Sequence, residues 1–278
     1  MHKVHIDHRE SLVKENMARI GHKILVMSNK GGVGKSTIAV NFAALLASRG
    51  LKTGLLDIDI HGPSVARMTA QEGRTHASDG EFIEPIEVMP NLKMISLGSL
   101  MRKGDAPAIW RGPLKRGVLK QFLSDVKWGD LDALVIDAPP GTGDEPLTIC
   151  QLIPEMTGAV VVTTGQEVAL LDSRKAVNFL KQVGVPVLGV LENMTAFCCP
   201  HCSKEIDLFK TGGGERAAIE LGVPFLGSVP FDPAMVDAGD VGKIYAVEAP
   251  SAPPSVAIVK ALSEVLKNIP SLYKGEAV

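Results

Sequence analysis

The sequence predicts an α/β fold: a doubly wound, mostly parallel sheet with helices on both faces. Short aliphatic runs alternate with stretches of helical period along most of the chain, and right-handed crossovers turn that order into a parallel sheet. Two of the runs, Leu134-Val135-Ile136 and Val160-Val161-Val162, are continuous rather than alternating, as in strands covered on both faces. A glycine-rich loop joins the first run to the first helical stretch, at the strand end where open parallel sheets keep their ligand crevice.

Taken in chain order, residues 1–22 read as an N-terminal helical extension. Asp7 and Glu10, three positions apart, make a capping box; Leu12, Met17 and Ile20 share a face; Gly21 suits the position just past a helix end. Residues 23–278 read as one domain. Strands are expected over 24–28, 53–57, 92–97, 133–137, 159–163, 186–191 and 224–229, and helices over 35–48, 114–126, 146–153, 170–183 and 215–221. Segment 62–90 is rich in Gly, Pro and polar residues and reads as irregular; an ordinary loop is shorter, so this one is expected to serve function. Residues 254–267 form a closing amphipathic helix.

Composition removes several classes. Of 278 residues 45% are hydrophobic and 22% charged, enough for a sizeable core under an ordinary polar surface. Lys+Arg 29 against Asp+Glu 31 leaves a net charge of −2, so nucleic acid, whose affinity scales with the cations presented, is not an expected partner. No run approaches the ~18 apolar residues of a membrane span, so no membrane partner is expected either. Residues 1–7 contain no apolar signal core. Of the 4 cysteines, Cys198, Cys199 and Cys202 crowd together and Cys150 stands apart. A tight cluster without a secretory signal points to metal or redox chemistry in a reducing cytoplasm, not to a disulfide framework.

The sharpest motif is Ser28-Asn29-Lys30-Gly31-Gly32-Val33-Gly34-Lys35-Ser36-Thr37, after a strand and opening a helix. Its glycines let successive N–H groups curl around phosphate oxygens, and the helix N-terminus adds its positive dipole end. Lys35 reaches the β- and γ-phosphates and the Ser36 hydroxyl holds Mg²⁺. Asn29 stands where the strict motif has its first glycine; Asn tolerates a left-handed backbone better than most residues. Residues 23–278 thus read as a P-loop ATPase domain.

Two acidic strand ends complete this site. Asp57 and Asp59 lie in Asp57-Ile58-Asp59-Ile60-His61-Gly62-Pro63-Ser64, and Asp137 precedes Ala138-Pro139-Pro140-Gly141-Thr142-Gly143-Asp144. Asp137 suits the role of holding Mg²⁺ directly or through water, Asp57 of supporting the metal or the loop lysine, and Asp59 of orienting the attacking water. Cys199 and Cys202 form C-P-x-C. Thiolates at that spacing grip one soft centre, an iron–sulfur cluster, zinc or Cu(I), but supply only half the ligands that a zinc site or cubane needs.

Lys30, a second lysine before Lys35, gives the loop the form K-G-G-x-G-K-S, which resembles the deviant-Walker ATPases. There the extra lysine reaches across a dimer interface to the partner's nucleotide, adding a cation on association as an arginine finger does. That resemblance also implies that Asn193, at a strand end, and the backbone of Pro230-Phe231-Asp232 clasp adenine. No Asn-Lys-x-Asp guanine reader follows Asn193. The joint set K-G-G-V-G-K-S, D-I-D-I-H-G-P-S, Ile109-Trp110-Arg111-Gly112-Pro113, Trp128-Gly129, D-x-P-P-G-T-G-D and C-P-x-C, from about residue 23 to the last helix, closely resembles the Mrp/ApbC family of iron–sulfur cluster carrier ATPases. The resemblance implies a homodimer in which Cys199 and Cys202 of each subunit bridge a labile 4Fe–4S cluster for transfer to apoproteins. Slow ATP hydrolysis by Lys30, Lys35, Asp59 and Asp137 would govern it. A two-fold axis repeats one patch on both subunits, so one dimer serves both the lysine and the thiols. Two rivals stay open. A spatial-organising ATPase of partition or septum-site type needs neither cysteine, and a zinc-stabilised nucleotide-switch dimer uses them for structure. Cys198 reads as a bystander, Cys150 as a small core residue, and His201, His2, His5 and His8 as solvated. Arg111, Lys115, Arg116 and Lys120 read as a solvated basic face.

Overall fold

The computed structural model describes residues 2–59, 64–74, 76–78, 82–97, 112–199, 201–202 and 204–272, and within these the backbone alone of 2–7, 112–115 and 167–170. The motif around Ile109, Trp110 and Arg111, the segment Ile60 to Pro63, the Lys115 side chain and Pro200 of the cysteine motif lie outside that description.

Ten strands are described: β1 (Ile20–Met27), β2 (Thr53–Asp57), β3 (Ile86–Met89), β4 (Leu92–Ser96), β5 (Leu131–Asp137), β6 (Gly158–Thr163), β7 (Val187–Thr195), β8 (Phe197–Cys198), β9 (Glu205–Ile206) and β10 (Phe225–Pro230). Eight make one sheet in the order β10-β7-β6-β1-β5-β2-β4-β3, and β8 pairs with β9 apart from it. Every pairing in the large sheet is parallel except β3 with β4. The helices are α1 (His2–Ala18), α2 (Lys35–Ser48), α3 (Ser64–Met68), α4 (Gly112–Asp125), α5 (Asp144–Leu152), α6 (Glu167–Val183), α7 (Gly213–Leu221), α8 (Pro233–Asp240), α9 (Tyr245–Glu248) and α10 (Pro253–Lys267). The doubly wound, mostly parallel sheet expected from the sequence is therefore present.

Alternation along each strand divides the core between two faces. Ile24 and Val26 of β1, Leu55 of β2 and Val135 of β5 pack against Phe42 and Leu46 of α2 and Ile258 and Leu262 of α10. Leu25, Met27, Leu56 and Leu134 face the other way, onto Met17 of α1, Phe122 of α4 and Leu180 of α6. Every residue of β2 and β6 is buried, the consequence of helices on both sides.

Three expectations are corrected. The first helix starts at His2, so Asp7 lies within it rather than capping it. It docks through buried Val13 and Met17, with Leu12 only half-buried. Gly21 belongs to β1, which starts at Ile20, already paired with Leu131. A Cβ at Gly21 would stand 2.9 Å from the Asp132 carbonyl oxygen, so close backbone approach, and not a helix end, calls for glycine there. The segment read as irregular contains α3 and the antiparallel edge strand β3, whose Ile86 pairs with Met94. Its four residues lie between Pro85 and Pro90 and are too few for a period to be read.

Candidate functional site

The turn between β1 and α2 is bent by glycines that other residues replace only with strain. Gly32 has φ 79° and Gly34 φ 82°, values that favour glycine. Gly34 also has no room: a Cβ would lie 2.2 Å from Asn193 Nδ2. Asn29 plays a different part from the one expected. It is not left-handed; its Nδ2 donates to Asp172 Oδ1 of α6 at 2.7 Å, tying the loop to the neighbouring helix. Ser28 Oγ donates to the Lys30 carbonyl at 2.9 Å, and the Lys30 residue itself is exposed.

Beneath the loop lies a buried charge cluster. Lys35 Nζ meets Asp137 Oδ1 at 2.6 Å, with the two side chains 7% and 0% exposed, and also donates to Ser36 Oγ at 3.2 Å. Parallel register places Asp57 beside Asp137 on one side and Ser96 on the other. Asp57 Oδ2 accepts from Ser96 Oγ at 2.8 Å, and its Oδ1 accepts from the Asp59 amide at 3.0 Å. Burial, then the Asp137 charge, pushes the Asp57 carboxyl up to about 7. Burial raises Asp137 as well, with Lys35 opposing it and the Asp59 charge adding to it. Asp137 Oδ2 is buried without a hydrogen-bond partner. The unpartnered Asp137 oxygen, the Asp57 carboxyl beside it and the hydroxyl of Ser36 are oxygen donors of the kind that suits a divalent cation of the Mg²⁺ type, with the Lys35 ammonium alongside for the phosphates.

Alongside is a cavity of about 200 Å³ whose walls include Thr37, Asn193, Pro230, Phe231 and Asp232. The residues expected to hold a base are thus gathered in one place, but two of them have structural duties too. Asn193, buried at the end of β7, donates from Nδ2 to the Val33 carbonyl at 2.9 Å and so holds the phosphate loop. Asp232 caps α8 by accepting from the Ala234 amide at 2.9 Å and takes the Tyr245 hydroxyl on its other oxygen at 2.6 Å. Met68, Met235 and Tyr245 also line the cavity; apolar residues scattered along the chain offer no local signal of such a role.

The cysteine pair sits elsewhere, on the β8–β9 hairpin, whose turn is closed by the Cys199 amide donating to the Lys204 carbonyl at 3.0 Å. Cys198 and Cys202 are exposed and Cys199 is half-buried. The His201 and Cys202 amides, then the Cys202 thiol, hold the Cys199 thiol below its ordinary range. Cys150, in α5, is half-buried against the core, and burial pushes its thiol up to about 11. The chain that follows the hairpin is held at the start of α7 by Glu192, which sequence reasoning missed. Its buried carboxylate accepts from the Gly212 amide at 2.8 Å and from the Gly214 amide, at the start of α7. The available signal was a lone acid ending an aliphatic strand. Among the described residues no helix is long and apolar enough to cross a membrane.

A lysine and a Mg²⁺-type donor set under a glycine loop at the carboxyl edge of a parallel sheet, beside a base-sized cavity, define a P-loop nucleoside triphosphatase. The chain belongs to the NUBPL iron-transfer P-loop NTPases of the ParA group, whose family model matches residues 19–269. It is 49% identical to an iron–sulfur cluster carrier protein of Methanocaldococcus jannaschii over 84% of this chain and 81% of that one. It is 42% identical to one of Saccharolobus solfataricus over 93% and 88%. Among solved structures, a nucleotide-binding protein from Archaeoglobus fulgidus in complex with ADP, in which cobalt was found, superposes with TM-score 0.75 at 36% identity over 88% of this chain and 94% of that one. The septum-site-determining protein MinD of Pyrococcus horikoshii, complexed with Mg-ADP, shares the fold at TM-score 0.63 and 20% identity over 91% and 99%.

Proposed function

We propose that this ATPase is an iron–sulfur cluster carrier: two copies hold a labile 4Fe–4S cluster between their Cys199–Cys202 pairs and pass it to recipient apoproteins. The observation that carries the reading is the placement of the thiols. They lie on a short hairpin outside the main sheet, Cys202 exposed and Cys199 half-buried. Each chain brings two thiolates where a cubane takes four, and a two-fold axis brings the other two. Relatives 42% to 49% identical that bear the name iron–sulfur cluster carrier protein support the same reading.

Hydrolysis follows from the buried cluster. The amides of 31–35 and the Lys35 ammonium embrace the β- and γ-phosphates, and Ser36 and Asp137 hold Mg²⁺, directly or through water, with Asp57 behind them. Bound there, Mg²⁺ neutralises charge on the phosphate oxygens. Asp59 orients the attacking water. Lys30, exposed at the loop, reaches the nucleotide of the other copy and stabilises charge on the transferring phosphoryl group. Asn193, with one of its two amide N–H groups given to the Val33 carbonyl, keeps an oxygen acceptor that matches the exocyclic amine of adenine. Positioning supplies most of the catalysis, so turnover is slow.

Anaerobic reconstitution with iron and sulfide tests the reading. The wild-type chain should gain visible cluster absorbance and sediment as a dimer, and the Cys199→Ser/Cys202→Ser double variant should gain no absorbance while still hydrolysing ATP. Tight zinc with iron refused, or a cluster retained by the double variant, overturns it.

A further inference from the structure

One short stretch of chain touches both sites. Near the end of β7, Glu192 holds the start of α7, where the chain arrives from the cysteine hairpin, and Asn193 holds the phosphate loop. Two residues on, the Thr195 carbonyl accepts from the Phe231 amide at 3.2 Å. Phe197 of β8, just ahead of the cysteines, stands edge-on to the Phe231 ring, centroids 6.0 Å apart at 67°. Phe209, on the far limb, meets the same ring at 6.4 Å and 64°. Three of the 8 phenylalanines in the chain thus converge here, and Phe231 is also a wall of the base cavity.

The hairpin's own pairing is short, and the chain beyond it runs close against the Gly165 backbone, where a Cβ would stand 1.9 Å from the Lys210 carbonyl oxygen. The two hairpin strands pair over only two residues each, far short of what keeps a hairpin in place by itself. Within 204–210 every side chain but Phe209 is exposed. The Phe231 ring is where both limbs rest on the cavity wall, while the Glu192 carboxylate fixes the chain farther on, at the start of α7. Edge-to-face rings have a preferred geometry, so a shift of Phe231 moves both limbs together.

We infer that Phe197 and Phe209 are positioning residues that make Phe231 the pivot of the cysteine hairpin, so that a base filling the cavity resets the approach to Cys199 and Cys202. The inference rests on the reading above, that the cavity takes the base of ATP and the pair takes metal. Coupling of this kind requires that the two hairpin settings differ in their affinity for nucleotide, and the effect is reciprocal.

The test uses the full chain without metal, alkylated by iodoacetamide with and without Mg-ADP or Mg-ATP, with rates at Cys199 and Cys202 read by mass spectrometry. In the wild type, nucleotide should change those rates by about fivefold or more. In Phe197→Leu and in Phe209→Leu the response should fall below about twofold, with nucleotide affinity measured separately and held within about twofold. Phe197→Tyr, which keeps the ring, should restore it. A full response in both leucine variants overturns the inference, because shielding by a partner copy alone would survive loss of the rings. So do wild-type thiols indifferent to nucleotide. Cluster uptake is assayed apart: a ring-dependent thiol response in a chain that takes no cluster sinks the carrier reading and supports the pivot.

Discussion

The phosphate site and the thiol site are built in opposite ways. Lys35, Asp57, Asp137 and Asn193 come from four separate elements and are buried, each fixed at hydrogen-bond distance: Lys35 by Asp137, Asp57 by Ser96 and Asn193 by the Val33 carbonyl. Cys199 and Cys202 come from one turn, lie at the surface, and owe their placement to a few anchors. Catalysis on phosphate needs charges fixed in advance in a low-dielectric setting, which only a core provides. A cargo site must let its cargo in and out, which a core would prevent. In the proposed carrier the first would stay inside the sheet edge and the second on an appended hairpin.

Lys35→Ala should open the widest gap between the two. Hydrolysis should fall by about 10³-fold, and stripping Asp137 of its buried partner should cost about 3–5 kcal/mol of stability, while cluster absorbance after reconstitution persists. Phosphate release, thermal melts and visible spectra measure the three. Unchanged hydrolysis would remove Lys35 from the site.

The cysteines themselves sharpen the contrast. With its thiol pushed up to about 11, Cys150 is roughly one part in a thousand thiolate at pH 8. Cys199, held below its ordinary range, should be alkylated about 10²-fold faster at that pH. Raising the pH toward 11 ionises Cys150 and closes the gap, because the thiolate is the reacting form. Equal rates at pH 8 in the metal-free chain would contradict the difference in setting.

Gly34→Ala is the smallest of the three. The new Cβ must displace Asn193 Nδ2 and adopt φ 82°, so nucleotide affinity should drop about tenfold, with little change at the cysteines. Equilibrium binding of a fluorescent nucleotide measures it; affinity equal to wild type would mean that the loop and Asn193 separate freely.

Motifs of consecutive residues were legible: the loop 28–37, the strand-end acids and the cysteine pair all lie where their spacing implied, because each is a local feature with its chemistry written in adjacent positions. What escaped was non-local. Asn29 looked like a stand-in for glycine and is a tether to Asp172, a residue 143 positions away. Gly21 looked like a helix stop and is a strand residue under Asp132. Strand β3 was hidden by its brevity, and Glu192 by the lack of any partner nearby in sequence.

The amino-acid order alone determined the α/β class and the phosphate loop, since periodicity and short-range spacing act within a few residues. Only the folded chain decided which groups meet: that Asp57 stands in register with Asp137, that Asn193 grips the loop, and that three phenylalanines from separate segments join the base cavity to the cysteine hairpin. Such meetings are products of strand order and packing, and packing is a property of the whole chain rather than of any stretch of it.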